Sequence, residues 1–349
     1  MIGEGSANFD PVPMELESLL DPAWLAWALD DVGDDDRIVG VEQVDASQTI
    51  AQKVRFRVTV AGADGAERTN SYCVKAHFGD PGPGSLRTEA HVYRDLLPKI
   101  ETRSPRAYYT GIDDVTGRSL IVMDDIVAER GHFMSAREPY SLETARDTLG
   151  QLARCHAATW GDEQWASVDW LAPRVAVMAQ NYPTEVLQGL MDDGRGPDIA
   201  PELRNAENLV AAMLVSAETP FTSVIHGDTH SGNVYLDADG RACWLDWQCT
   251  QRGHWSTDVS YHLGTTLDIE DRRNHEADLL RHYLGELEVA GVEPPSWDEA
   301  WERYALGFTY GYFLWVITRI SSRAVVLIHI PRLATALSDH DTFRRLGVT

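Results

Sequence analysis

The segment that most constrains this chain runs from Val224 to Gln248. Val224-Ile225 reads as a short apolar strand, and the polar residues 226–233 (His226-Gly227-Asp228-Thr229-His230-Ser231-Gly232-Asn233) read as a loop leaving it. Val234-Tyr235-Leu236 and Ala242-Cys243-Trp244-Leu245 read as two further strands around Asp237-Ala238-Asp239-Gly240, a turn signal. A hairpin folded there carries Asp246 back beside Asn233. Residues distant in the chain become neighbours.

Asp228, Asn233 and Asp246 are an oxygen-donor set. Hard cations prefer oxygen, and Mg²⁺ is usually held by one or two carboxylates together with phosphate oxygens. In phosphoryl transfer one Asp orients the attacking hydroxyl and takes its proton, while an Asn and a second Asp hold Mg²⁺. The order of residues assigns Asp228 to the first task and Asn233 and Asp246 to the second.

His226-Gly227-Asp228 with Asn233, then Leu245-Asp246-Trp247, resembles the catalytic and metal-binding segments of the aminoglycoside phosphotransferase and choline kinase superfamily, small-molecule kinases related in fold to protein kinases. The form Leu245-Asp246-Trp247-Gln248, continuing to Trp255-Ser256-Thr257-Asp258-Val259-Ser260-Tyr261, is similar to bacterial relatives of the ecdysteroid-kinase-like branch. The resemblance implies an α+β, protein-kinase-like bilobal fold. Its parts are a β-rich N-terminal lobe over 1–123, a hinge at 124–127 and a larger, mainly helical C-terminal lobe over 128–349. It also implies ATP and Mg²⁺ as cofactors and a small-molecule alcohol as acceptor. His226 and Asp258 then brace the catalytic loop.

In the first part, Val54-Arg55-Phe56-Arg57-Val58-Thr59-Val60 alternates strictly, as a half-buried strand does, and 72–78 alternates again after a turn at 61–65. Lys75 stands mid-strand, and Glu89 opens a helical pattern over 88–97. In the kinase arrangement such a lysine contacts the α- and β-phosphates and is steadied by such a glutamate. By the same analogy the nucleotide loop lies between Val44 and Val54. It has no glycine, which leaves open which groups touch phosphate; Ser47 and Thr49 are its hydroxyl candidates. Leu120-Ile121-Val122-Met123 leads into Asp124-Asp125-Ile126, the counterpart of the hinge strand, so that Met123, Asp124 and Ile126 lie near the adenine. Gly79-Asp80-Pro81-Gly82-Pro83-Gly84 imitates a phosphate loop. Its prolines remove backbone donors and it follows the lysine strand, so it reads as a linker.

One leading helix is expected over 14–29, followed by a solvated acidic cluster at 30–36. Ser141 caps a helix whose apolar face includes His156, a core histidine by position. Helices are expected over 271–290, stopped by Gly291, and over 297–320. The second carries Trp301, Tyr304, Phe308, Tyr312 and Trp315, a stripe that fits a core better than a cation cage.

The net charge of −24, from 54 acidic and 30 basic residues, argues against nucleic acid as a partner. It suits a cationic substrate, but a solubilising surface explains it more simply. The four cysteines form no CxxC pair and fit a reducing, cytoplasmic setting. The N-terminus lacks a signal peptide's apolar core, and the longest apolar run, 304–317, is too short to span a bilayer, so no membrane role is expected. Two other readings stand beside the kinase. One is a non-catalytic nucleotide-binding protein on the same fold. The other is a metal-dependent phosphoesterase, for which the further Asp, Asn and His ligands are lacking. Neither the acceptor's identity nor the oligomeric state is encoded in these motifs.

Overall fold

A computed structural model describes residues 9–48, 50–79, 84–196 and 199–348. Thr49 and residues 80–83 of the linker stretch lie outside them. The chain divides into two compact units, Met1–Pro98 with Pro105–Gly131, and Lys99–Ser104 with His132–Thr349.

The first unit is built on an antiparallel sheet of β1 (Arg37–Gln48), β2 (Gln52–Ala61), β3 (Glu67–Ala76), β4 (Ala107–Ile112) and β5 (Ser119–Asp124), in the order β1-β2-β3-β5-β4. Val54, Phe56, Val58 and Val60 of β2 point into a core with Tyr72, Val74, Leu120 and Val122. Each such buried side chain contributes roughly 1.5–3 kcal/mol. The expected single leading helix is instead two, α1 (Leu16–Leu19) and α2 (Pro22–Ala28). Pro22 cannot continue a helix. Asp21 starts a new one by accepting the N–H groups of Ala23 and Trp24 at 2.9 and 3.2 Å. The new helix turns Trp24 and Leu25 onto the sheet core.

A second correction concerns the nucleotide loop. Residues 45–47 are not loop but the end of β1, with Asp45, Ala46 and Ser47 opposite Arg55, Val54 and Lys53. The polar run was misread because an exposed edge strand carries polar residues as a loop does. After the linker, α3 (Ser85–His91) carries Glu89 and passes into a π-helical turn at Val92–Leu96.

The second unit is mainly helical, with α4 (Leu142–Ala157), α5 (Glu163–Ala166), α6 (Val175–Asn181), α7 (Thr184–Asp192), α8 (Ala206–Ala217), α9 (Trp255–Thr266), α10 (Ile269–Val289), α11 (Trp297–Ile317), α12 (Arg323–Asp339) and α13 (Thr342–Arg345). Ser141 caps α4 by accepting the N–H of Thr144 at 3.0 Å. Tyr304, Phe308, Tyr312 and Trp315 of α11 are buried core residues, and α11 ends three residues earlier than expected. Two small β elements position the loop. β7 (Ser223–Ile225) pairs with β10 (Gln251–Gly253), and β8 (Val234–Leu236) pairs with both β6 (His132–Phe133) and β9 (Ala242–Trp244). Residues 99–104 join this unit because Arg103 accepts the N–H of Trp244 at 2.8 Å and pairs with Asp147. Among the described residues no helix is long and apolar enough to cross a membrane.

Candidate active site

The loop leaving β7 is held from beneath by one carboxylate. Asp258, on the first turn of α9, accepts the N–H of His226 on Oδ2 at 2.7 Å and that of Gly227 on Oδ1 at 2.8 Å. Its own carbonyl accepts the Thr229 hydroxyl at 2.9 Å. The side chain is wholly buried, and His156 Nε2 stands 3.2 Å from Oδ2 while its Nδ1 meets the Tyr283 hydroxyl at 2.8 Å. A buried charge persists only where such partners replace water. Gly227 turns the loop with φ of +77°, and a Cβ there would lie 2.3 Å from the carbonyl oxygen of Cys249. Tyr310 of α11 donates to the Gly227 carbonyl at 3.0 Å.

His226 is fully buried between Trp244 and Trp247, with ring centroids 5.1 and 4.4 Å away. Burial pushes its pKa down, so the ring is neutral. Its Nδ1 accepts the N–H of Asp228 at 3.2 Å, which leaves Nε2 as the donor to the Leu245 carbonyl at 3.1 Å. The histidine thus ties the start of the loop to the residue before Asp246.

Asp228 is suspended by two donors. Oδ1 accepts the Tyr261 hydroxyl at 3.0 Å, and Oδ2 accepts Nδ2 of Asn233 at 2.9 Å. Burial, with Asp228 next, raises the Tyr261 phenol well above its ordinary value and keeps it a donor. Nδ2 of Asn233 also donates to the Asp228 carbonyl at 2.8 Å. Both amide hydrogens are therefore committed inward, and the amide oxygen is the end presented elsewhere. The hairpin forms as expected: Val234 opposes Trp244, and Leu245 donates its N–H to the Asn233 carbonyl at 3.0 Å. Asp246 follows at once, in a left-handed conformation with φ +63° and ψ +59°. Non-glycine residues seldom adopt it, and such strain gathers at functional sites. The amide oxygen of Asn233 and the carboxylate of Asp246 are hard donors on adjoining backbone, a fit to Mg²⁺ chemistry. His230, whose Nδ1 accepts the Gly232 N–H, points Nε2 toward Asp228 Oδ1 at 3.7 Å.

In the first unit Lys75 and Glu89 form an ion pair of 2.5 Å with both side chains buried. Ser47 is exposed at the end of β1, opposite Lys53. Met123 and Ile126 are largely buried. Asp124 has its carboxylate occupied by the Arg106 N–H at 2.6 Å and the Tyr108 hydroxyl at 2.9 Å. Its neighbour Asp125, which sequence reasoning passed over, is the buried one. It pairs with Arg55 of β2 at 2.8 Å and accepts the Ala128 N–H at 3.2 Å.

Asp228, Asn233, His226 and Asp258 thus belong to one hydrogen-bonded group, with Asp246 beside it on the hairpin. Sequence reasoning missed Tyr261, Tyr310 and the contact of His156 with Asp258. Tyr261 left a signal: it follows Asp258 by one helical turn, so the two share a face of α9.

A family model described as the phosphotransferase enzyme family matches residues 48–305. No curated protein sequence matches the chain. Among solved structures the chain is similar to an ethanolamine kinase of Plasmodium vivax, with a TM-score of 0.51, 10% identity, and 95% of this chain and 91% of that one covered. It is similar to the choline kinase LicA from Streptococcus pneumoniae, with a TM-score of 0.50, 15% identity, and 86% and 94% covered. A spectinomycin phosphotransferase, APH(9)-Ia, solved with ADP and spectinomycin, gives a TM-score of 0.51 at 11% identity, with 95% and 99% covered. These likenesses concern the fold, and they agree with the expected α+β, kinase-like class. They do not single out the ecdysteroid-kinase-like branch.

Proposed function

The chain belongs to the phosphotransferase enzyme family, and from that premise we propose that it moves the γ-phosphate of MgATP to a hydroxyl of a small molecule. The observation that carries this reading is the suspension of Asp228 between Tyr261 and Asn233. Each carboxylate oxygen takes one donor and keeps a lone pair. The group is fixed in direction yet able to accept one more hydrogen bond, as required of a residue that orients an acceptor hydroxyl and receives its proton.

Asn233 Oδ1 and Asp246 would hold Mg²⁺, which when bound neutralises charge on the phosphates. The two amide hydrogens that Asn233 gives to Asp228 keep its oxygen turned out for that purpose. Lys75 supplies positive charge to the phosphates, and Glu89 holds its ammonium in place. Met123, Asp124 and Ile126 bound the adenine through backbone groups, because the Asp124 side chain is already engaged. Ser47, exposed near the end of β1, contacts phosphate from there. His226 and Asp258 hold the loop and do not enter the chemistry. Catalysis of this kind is positioning and charge neutralisation. The structural neighbours named for choline, ethanolamine and spectinomycin phosphorylation support a small-molecule alcohol as acceptor.

The test is ATP consumption across a panel of amino alcohols, sugars, cyclitols, aminoglycosides, macrolides and sterol-like alcohols, with Asp246→Ala as the blank. At least one acceptor should drive consumption above that blank. Phosphoester hydrolysis without any acceptor would contradict the reading.

A further inference from the structure

The second unit contains a cavity of about 260 Å³ that none of Asp228, Asn233 and Asp246 lines. Its walls come from the segment entering α6, the end of α8, β10 and the faces of α9 and α11. No Asp or Glu lines it, in a chain with 54 of them. Two arginines do: Arg252 from β10 and Arg303 from α11.

Both arginines are half-buried, and among the described residues neither side chain has a hydrogen-bond or ion-pair partner. Two other half-buried arginines are paired, Arg55 with Asp125 and Arg332 with Asp268. A guanidinium drawn partly out of water seeks an anion, and its planar fork matches carboxylate and phosphate. His254 shares the wall. Burial, and then the charge of Arg303, pushes its pKa down to about 3, so it stays neutral and the two guanidinium groups are the charged groups of the wall. The remaining surface is largely apolar, with Val175, Phe221, Ile225 and Leu306.

We propose that this cavity binds a small organic anion, a phosphate or carboxylate carried on an apolar body of about one ring, with the charged group on Arg252 and Arg303. The volume admits nothing much larger, since cavities for drug-sized ligands begin at roughly 300 Å³. The occupant lies against the supports of the catalytic loop. Tyr310 lines the cavity and donates to the Gly227 carbonyl, and Ile225 lines it and precedes His226. The site is therefore placed to adjust the loop rather than to present an acceptor to Asp228.

Calorimetric titration of the full chain with phenyl phosphate tests this, with phenol and inorganic phosphate as comparisons. Phenyl phosphate should bind saturably, and phenol at least about tenfold more weakly, since it lacks the charge that the arginines recognise. Inorganic phosphate, lacking the ring, should also be weaker. The double variant R252Q/R303Q should lose at least about tenfold in affinity while melting at the parent temperature, because neither side chain holds anything in the ligand-free chain. Lys75→Ala and Asp246→Ala should bind phenyl phosphate as the parent does. Absence of saturable binding, equal affinity in the double arginine variant, or a loss caused by Lys75→Ala or Asp246→Ala would each overturn the proposal. The last result would place the phosphate with the nucleotide instead.

Discussion

His156 Nε2 stands 3.2 Å from Oδ2 of Asp258, and water reaches neither side chain. The same oxygen takes the His226 N–H, so the histidine supports the anchor of the catalytic loop without touching the loop itself. His156→Ala should therefore act in two ways. Removing a hydrogen-bond partner from a buried carboxylate costs roughly 1.5–3 kcal/mol. The activity that survives should show a lower kcat, with the KM for ATP little changed. Urea unfolding measures the first effect and steady-state kinetics the second.

Tyr261→Phe isolates the hydrogen bond to Asp228. The ring stays and only the hydroxyl is lost. A hydrogen bond to a charged group is worth roughly 1.5–3 kcal/mol, so kcat should fall about ten- to a hundredfold if Asp228 must be held in direction. MgATP binding should be unaffected. An unchanged kcat would remove Tyr261 from the site.

Gly227 and Gly240 form a matched pair. Both have positive φ, +77° and +79°, but a Cβ at 227 meets the Cys249 carbonyl whereas one at 240 meets nothing within 4 Å. Gly240→Ala should carry only the left-handed penalty, about 1–2 kcal/mol. Gly227→Ala must also move backbone, and should cost more than that and abolish transfer. Denaturation midpoints and activities of the two variants compare them directly.

His262 hydrogen-bonds to the Thr229 carbonyl and faces Thr148, and burial pushes its pKa down to about 4. It is neutral in the fold, while in the unfolded chain it takes a proton near pH 6.5. Below 6.5 the unfolded chain binds protons that the folded chain refuses, so stability falls as pH falls through the window from 6.5 to 4. Above 6.5 this histidine contributes no slope. The loss is about 1.4 kcal/mol per pH unit while the window lasts. Between pH 6.5 and 5, where few carboxylates titrate, urea midpoints should fall for the parent and fall less steeply for His262→Asn.

The parts of the site legible from sequence were those that depend on neighbours in the chain. The loop 226–233, the turn at Asp237–Gly240 and the return of Asp246 are consecutive, and local turn chemistry carries them. The Lys75–Glu89 pair was legible only through resemblance, because nothing local distinguishes a buried strand lysine from an exposed one. Contacts between remote elements, such as Arg55 with Asp125 or Tyr310 with Gly227, left no pattern at all. The break between α1 and α2 was legible and overlooked: Asp21-Pro22 is a helix start inside a helical pattern. The strand character of 45–47 was not legible, since only pairing with Lys53, Val54 and Arg55 reveals it.

The central proposal is that Asn233 and Asp246 hold a divalent ion on a nucleotide's phosphates. Thermal melting of the parent and of Asp246→Ala, with ATP and Mg²⁺ singly and together, tests it most directly. A ligand held only by the folded chain stabilises it by RT ln(1 + [L]/Kd), about 2.7 kcal/mol at a hundredfold excess over Kd. The parent should melt several degrees higher with ATP and Mg²⁺ together than with either alone, and Asp246→Ala should lose most of that gain. A parent that melts at the same temperature with and without MgATP, or a variant that gains as much as the parent, would contradict the account.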